Sequence, residues 1–224
     1  GEFNQRFAQP SSQASRSTNS LFPFSDAPQT DPETELTDGL LSRLSALGDL
    51  PKVMYTYTPS EYWAGHGSLV HTDLAAGRDL EPPDAVRVYV FAGTQHALGV
   101  FPLIDTDPDG YRGQQSFNGL EYRGLLRAAL TNLDRWVTLG ETPPPSRYPR
   151  IDDGTAVAAD KVAVTFAKIP GANFPSTLRR FTRLDFGPDP MRPTKAPPAV
   201  GSVFPVLVSA VDDDGNELSG IPLP

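Results

Sequence analysis

The run Val86-Arg87-Val88-Tyr89-Val90-Phe91-Ala92 limits more than any other stretch what this chain can fold into. Valine and aromatic side chains fill it, and Gly93 breaks it. β-Branched and aromatic residues suit a pleated, buried surface, so the run reads as a buried strand. A central strand of an open α/β sheet points its C-terminal end at the crevice where ligands bind. Gly93-Thr94-Gln95-His96 then places a histidine at that mouth. An imidazole ordinarily titrates near neutrality, which suits it to proton transfer. The alternative is a loop histidine that only caps or packs.

A second run strengthens the first reading. Lys52-Val53-Met54-Tyr55-Thr56-Tyr57-Thr58 has the same strand character, and Pro59 ends it. Glu61 follows at the same kind of mouth, before Tyr62 and Trp63. Two successive strands thus present a carboxylate and then a histidine. Upstream, Leu36, Leu40, Leu41, Leu44 and Leu47 predict a helix over 35–48, closed by Gly48. Helix, short loop and strand in this order are the rhythm of a parallel α/β sheet.

Composition excludes several classes. A chain of 224 residues is long enough for one domain or slightly more. A formal charge of −8 argues against a nucleic-acid binder, since phosphate needs a basic face. Without cysteine there is no disulfide framework, thiol nucleophile or thiolate metal site. No apolar run approaches the ~18 residues of a membrane span. Nothing resembles a signal peptide. The chain opens on Gly1 without a methionine, which predicts a processed or truncated product whose targeting segment could lie upstream. The expectation for compartment leans toward a secreted or periplasmic protein.

The remaining stretches set the organisation. Residues 1–34 carry little periodicity, but their four phenylalanines suggest segments that dock on something. Residues 59–85 and 97–120 read as loops. The first holds His66, His71 and Asp73, which could be imagined as metal ligands, although their spacing matches no metal-site pattern. In the second, Asp105-Thr106-Asp107-Pro108-Asp109-Gly110 copies the start of a calcium loop. Ser116 stands where that loop requires glutamate, so a solvated turn is the better reading.

Residues 121–140 predict the clearest helix, with Leu125, Leu126, Ala129, Leu130, Leu133, Trp136 and Val137 on one apolar stripe and Gly140 as its stop. Thr142-Pro143-Pro144-Pro145-Ser146-Arg147-Tyr148-Pro149 is a polyproline-like strap. Beyond it, 155–158 and 162–167 read as short strands and 170–201 as irregular. Residues 203–211 read as a strand that Pro205 pushes to a sheet edge, and 212–216 as a polar hairpin turn.

The chemistry lacks one component. A serine hydrolase of the α/β type carries its nucleophile in G-x-S-x-G on a strained strand-to-helix turn. No such pentapeptide occurs here. The nearest context, Gly65-His66-Gly67-Ser68-Leu69, lacks the second glycine and follows Glu61, the wrong chain order. There is no phosphate loop and no dinucleotide fingerprint, and no cofactor is implied.

Five motifs nevertheless occur together and in order: Gly1-Glu2-Phe3-Asn4-Gln5-Arg6-Phe7-Ala8-Gln9-Pro10, Tyr55-Thr56-Tyr57-Thr58-Pro59-Ser60-Glu61-Tyr62-Trp63, Ser68-Leu69-Val70-His71-Thr72-Asp73, Phe91-Ala92-Gly93-Thr94-Gln95-His96 and Pro143-Pro144-Pro145-Ser146-Arg147-Tyr148-Pro149. As a set they resemble a bacterial family of α/β-hydrolase domain proteins, over most of residues 1–175. The resemblance implies an α/β fold: the C-terminal portion of an α/β-hydrolase over 1–141, then a proline-rich, β-containing extension over 142–224 packed on it. It implies His96 as general base and Glu61 as the acid; the residues themselves leave Asp73 as the alternative acid. Tyr62 and Trp63 would line a substrate pocket or pack in the core. Family members carry the glycine-flanked serine upstream of the Phe-Asn-Gln-Arg-Phe segment. The nucleophile would therefore come from an N-terminal fragment of the same precursor, acting with this chain on a small-molecule ester. The competing expectation is a non-catalytic binding or structural subunit that keeps the hydrolase scaffold.

Overall fold

Strand β3 (Val53–Tyr57) and strand β4 (Val86–Val90) lie side by side and parallel, in register from Val53 opposite Val86 to Tyr57 opposite Val90. Parallel neighbours need a crossover, and residues 58–85 supply it. Their C-terminal ends therefore open at the same place, which brings the two strand mouths together. The computed structural model describes residues 22–106, 110, 112–178, 180–188, 192, 194–195 and 197–223. The motif Gly1-to-Pro10, with Phe3 and Phe7, and residues 107–109 of the acidic loop lie outside the described residues.

Before this pair come β1 (Gln29–Thr30) and β2 (Thr37–Asp38), an antiparallel pair, and the short helix α1 (Ser42–Ala46). The helix anticipated over 35–48 is thus cut to its centre. Glu35 takes a left-handed φ of 59°, and Gly39 sits so close to Asp26 that an added Cβ would meet its carbonyl oxygen at 2.7 Å. The φ of Glu35 lies outside the right-handed helical region, and the close packing of Gly39 on Asp26 leaves room there for no larger residue. Helix α2 (Pro59–Trp63) and a 3₁₀ turn (Ser68–Val70) interrupt the stretch expected to be loop.

Helix α3 (Arg123–Leu139) ends at Gly140 with φ 71°, as its stripe and its glycine predicted. It packs across β3. Trp136 is buried, with Lys52 and Arg87 over its ring at 4.7 and 5.0 Å. The rest of the stripe divides: Ala129 is buried, whereas Leu126, Leu130 and Val137 are exposed.

The second half corrects two expectations. Strand β5 (Ala156–Ala158) is followed by helix α4 (Ala159–Phe166), where a strand was expected over 162–167. Val162 and Phe166 face the core cluster one helical turn apart, so burial at period 3.6 overrides β-branched propensity. The stretch anticipated as irregular holds β6 (Thr182–Asp185) and the start of β7 (Ala199–Val203), which pair antiparallel. Pro205 divides the anticipated 203–211 strand: β7 ends at Val203, and β8 (Leu207–Ser209) pairs with β5 instead.

The strap uses its few non-proline residues as the ladder requires. On the edge of β4 away from β3, Arg147 N–H donates to Val88 O at 2.8 Å and Arg147 O accepts from Val90 N at 2.9 Å. Ser146 Oγ accepts from Val88 N at 3.0 Å. Further along the same edge, Ile221 exchanges backbone bonds with Val90 O (2.7 Å) and Ala92 N (3.0 Å). β4 is consequently an interior strand, buried along nearly its whole length. The main core joins Tyr62, Val86, Val88 and Val90 to Tyr148, Val162 and Val208 from beyond position 142. Each buried valine contributes about 1.5–3 kcal/mol. A second cluster joins Leu69 and Leu74 to Phe181 and Phe204, with Phe22 and Phe24 packed on it. Two of the early phenylalanines thus dock on the tail. Arg183 reinforces that closure by clasping buried Asp31 with two bonds of 2.6 and 2.5 Å.

Candidate active site

Thr58-Pro59-Ser60-Glu61 is a capping sequence, and the site begins there. Thr58 leaves β3 in extended conformation, and Pro59 starts α2 with its fixed φ. Glu61 folds back so that Oε2 accepts from both Thr58 N and Thr58 Oγ1 at 2.8 Å. This is the reciprocal box that Thr-x-x-Glu encodes. One carboxylate oxygen therefore holds the helix start and leaves Oε1 free.

Oε1 faces His96. Nδ1 of His96 stands 2.5 Å from it. Burial works to raise the Glu61 pKa, but the Thr58 and His96 hydrogen bonds and the charge of His96 outweigh it and leave the carboxyl below its usual range. An ionised carboxylate only accepts, so Nδ1 is the donor of this pair, and in the neutral imidazole Nε2 is the nitrogen that keeps the lone pair. The surroundings differ sharply across the pair: the Glu61 side chain is 17% exposed and that of His96 77%. A shielded carboxylate holds an imidazole whose ring is largely open to solvent.

The turn that carries His96 is held at both ends, through the backbone groups of Gly93 and of His96. Gly93 adopts φ 69°, a conformation that only glycine takes readily. Glu217 Oε2 accepts from Gly93 N at 2.7 Å, and Asn118 Nδ2 donates to Gly93 O at 2.7 Å. Gln95 Oε1 accepts from Asn118 N at 2.9 Å. His96 N donates to Ser60 Oγ at 3.0 Å, and Tyr122 OH donates to His96 O at 2.7 Å. Ser60, Asn118, Tyr122 and Glu217 were not anticipated from the sequence. Only the Ser60 contact had a local signal, its place inside the capping box.

The other anticipated residues lie elsewhere. Asp73 caps its own turn, accepting from Gly77 N at 2.7 Å, and pairs with Arg78 at 3.5 Å. Tyr62 is buried in the main core, with its hydroxyl 2.8 Å from His71 Nε2, so its ring is a packing element rather than a pocket wall. Trp63 is partly buried and meets Phe174 edge-on at 5.8 Å. His71 is fully buried, its ring tilted against that of Tyr148 with centroids 4.5 Å apart, which removes it from any open metal site with Asp73. Ser68 is buried, and its Oγ accepts from Leu207 N at 3.2 Å. Among the described residues no group of three His, Asp or Glu side chains could hold a metal ion. None of their helices is long and apolar enough to cross a membrane.

Two parallel strands whose C-terminal mouths carry a hydrogen-bonded Glu61–His96 pair fit an α/β protein of the hydrolase type. The family model for the alpha/beta hydrolase domain matches residues 14–224, and the chain belongs to that family. No curated protein and no solved structure matches it.

Proposed function

We propose that the chain supplies the acid and the general base of a serine hydrolase, esterase-like, cleaving a carboxylic ester or a related acyl bond. One observation carries this reading: Glu61 Oε1 holds His96 Nδ1 at 2.5 Å while the imidazole remains exposed. His96 Nε2 takes the serine proton as the hydroxyl oxygen attacks the acyl carbon. It then gives that proton to the leaving alcohol, and a water repeats the cycle on the acyl-enzyme. Glu61 stabilises the imidazolium that forms each time.

The nucleophile, in this proposal, comes from an N-terminal part of the same precursor. Two surface features support such a partner. Among the described residues no strand pairs with the edge of β3 that faces away from β4. Beside it, α3 exposes Leu126, Leu130 and Val137 along one side. An open edge with apolar neighbours invites another strand and its covering layer. Intact-mass analysis of everything that copurifies with the chain tests this. A second polypeptide with a glycine-flanked serine, labelled by a fluorophosphonate, is the expected result. A single folded, monomeric 24.2 kDa species would overturn it.

A non-catalytic binding subunit is the second reading. Two observations support it: no described residue hydrogen-bonds to Nε2 of His96, and Glu61 Oε2 has a helix-capping role that needs no catalysis. Turnover that is unchanged in His96→Ala would select it.

A further inference from the structure

The carboxyl of Glu217 has no cation to pair with among the described residues. Its one hydrogen bond among the described residues goes to the backbone of the strand mouth that carries His96. Burial pushes it up to about 7 against the pull of the Gly93 N–H. Partly burying a carboxyl without a counter-charge is costly, and such groups concentrate where a site needs them.

The way Glu217 reaches Gly93 is built into the C-terminal segment. Asp212 turns the chain, accepting at Oδ1 from Asp214 N and Asn216 N. Val211 and Glu217 then face each other across an antiparallel bridge, and Leu218 N donates to Ala210 O at 2.9 Å. Gly220, with φ 98°, passes so close to β4 that an added Cβ would meet Val90 O at 2.7 Å. Ile221 finally bonds along the end of β4. The segment is therefore anchored on both sides of Glu217, and its carboxyl is presented to Gly93 N as a fixed acceptor. Gly93 in turn begins the turn that ends at His96. Its carbonyl is held by Asn118 and its amide by Glu217, so removing Glu217 frees one side of the turn's root.

We propose that Glu217 is a positioning residue for His96: from the far end of the chain it fixes the Gly93 turn and thereby keeps the imidazole on Glu61. The catalytic consequence rests on the hydrolase reading above; the geometric one does not.

The test separates the two. The chain has three histidines, so selective ¹⁵N-histidine labelling gives a spectrum that His96→Ala assigns. Ring ¹⁵N shifts report which nitrogen carries the proton. The chain as isolated should show His96 with its proton on Nδ1. Glu217→Ala should lose that single signature and give a mixture of both tautomers, and Glu217→Gln, which keeps an acceptor oxygen, should restore it. Should Glu217→Ala fail to fold, Glu217→Asp decides, because it keeps the charge but shortens the reach to Gly93 and should also lose the signature. A folded Glu217→Ala or Glu217→Asp with the unaltered His96 signature overturns the proposal, whatever the activity of the protein. In the complete hydrolase, the Ala variant should lower kcat roughly 10–100-fold with KM little changed, as expected when a catalytic group is misplaced by about 1 Å.

Discussion

Glu61 and Tyr62 are neighbours on α2, and each holds a histidine. Glu61 holds His96 at the open mouth of the two strands, and Tyr62 holds His71 inside the core. The residue type and the contact distance are similar, yet the surroundings make different chemistry of them. His96 faces a shielded carboxylate and presents its ring to solvent. His71 is fully buried between Tyr62 and Tyr148, and burial pushes its pKa down to about 3. A histidine so disfavoured in its charged form stays neutral and cannot cycle a proton near pH 7. The pair teaches that partner and exposure, rather than histidine itself, divide an imidazole open to proton exchange from one that only packs.

The largest expected effect breaks the comparison at its catalytic end. On the proposed hydrolase reading, His96→Ala in the complete assembly should cost on the order of 10⁴-fold or more in kcat. His71→Ala should leave the kcat of the molecules that fold within a few-fold. Active-site titration alongside steady-state rates separates the two. If His71→Ala lost turnover as fully as His96→Ala, the division drawn here would be wrong.

The next effect concerns the acid. Glu61→Gln keeps the shape of the side chain and an acceptor toward Thr58, but an amide can turn its NH₂ toward the imidazole and select the wrong tautomer. A drop of roughly 10³–10⁴-fold in kcat is expected, with the melting transition moved only slightly. A drop below tenfold would leave Glu61 only its helix-capping role.

How much of this was legible in the sequence follows the distance over which each feature is determined. The two strands were visible because β-branched and aromatic runs closed by Pro59 and Gly93 are local signals. Their parallel pairing then set the mouths that carry Glu61 and His96 side by side. Helix α3 was legible from its stripe and Gly140. The partners that hold His96 were not, because Asn118, Tyr122 and Glu217 reach it through contacts spanning up to 124 residues. Nor was the fate of His71, since nothing in Ser68-Leu69-Val70-His71-Thr72 signals that its ring inserts between two tyrosines. The misread strand at 162–167 failed for a related reason. Its valines satisfied the local β pattern, but α4 exists because Val162 and Phe166 meet a core assembled from β4 and β8.

A third effect, smaller in energy, belongs to the buried histidine. The folded state holds His71 neutral down to about pH 3, whereas the unfolded chain takes up its proton near the ordinary value of 6.5. Its contribution is therefore complete above pH 6.5 and is lost as pH falls toward 3. At pH 4 that loss amounts to ~3 kcal/mol, read from urea midpoints between pH 7 and pH 4. His71→Gln, which cannot titrate, should flatten this acid limb even though it is less stable at pH 7. An unaltered acid limb in His71→Gln would assign the pH dependence to other groups.

The smallest effect is the sharpest test of the comparison, because it touches α2 between the two histidines. Tyr62→Phe removes one hydroxyl and keeps the ring, including its edge contact with Tyr57 at 6.4 Å. His71 Nε2 then loses its partner, and Nδ1 has none beyond His71's own backbone. Leaving a buried polar atom unsatisfied costs about 1–2 kcal/mol, which should appear as a lower urea midpoint with an unchanged slope. Glu61 is the next residue, yet its two oxygens are held by Thr58 and His96 and by nothing in the core. The loss should therefore stop at stability, with kcat of the complete hydrolase and the His96 ring tautomer as in the parent protein. If instead Tyr62→Phe lowered turnover by tenfold while the fold held, α2 would be coupling the two histidines. The buried pair would then be part of the machinery that aims the exposed one.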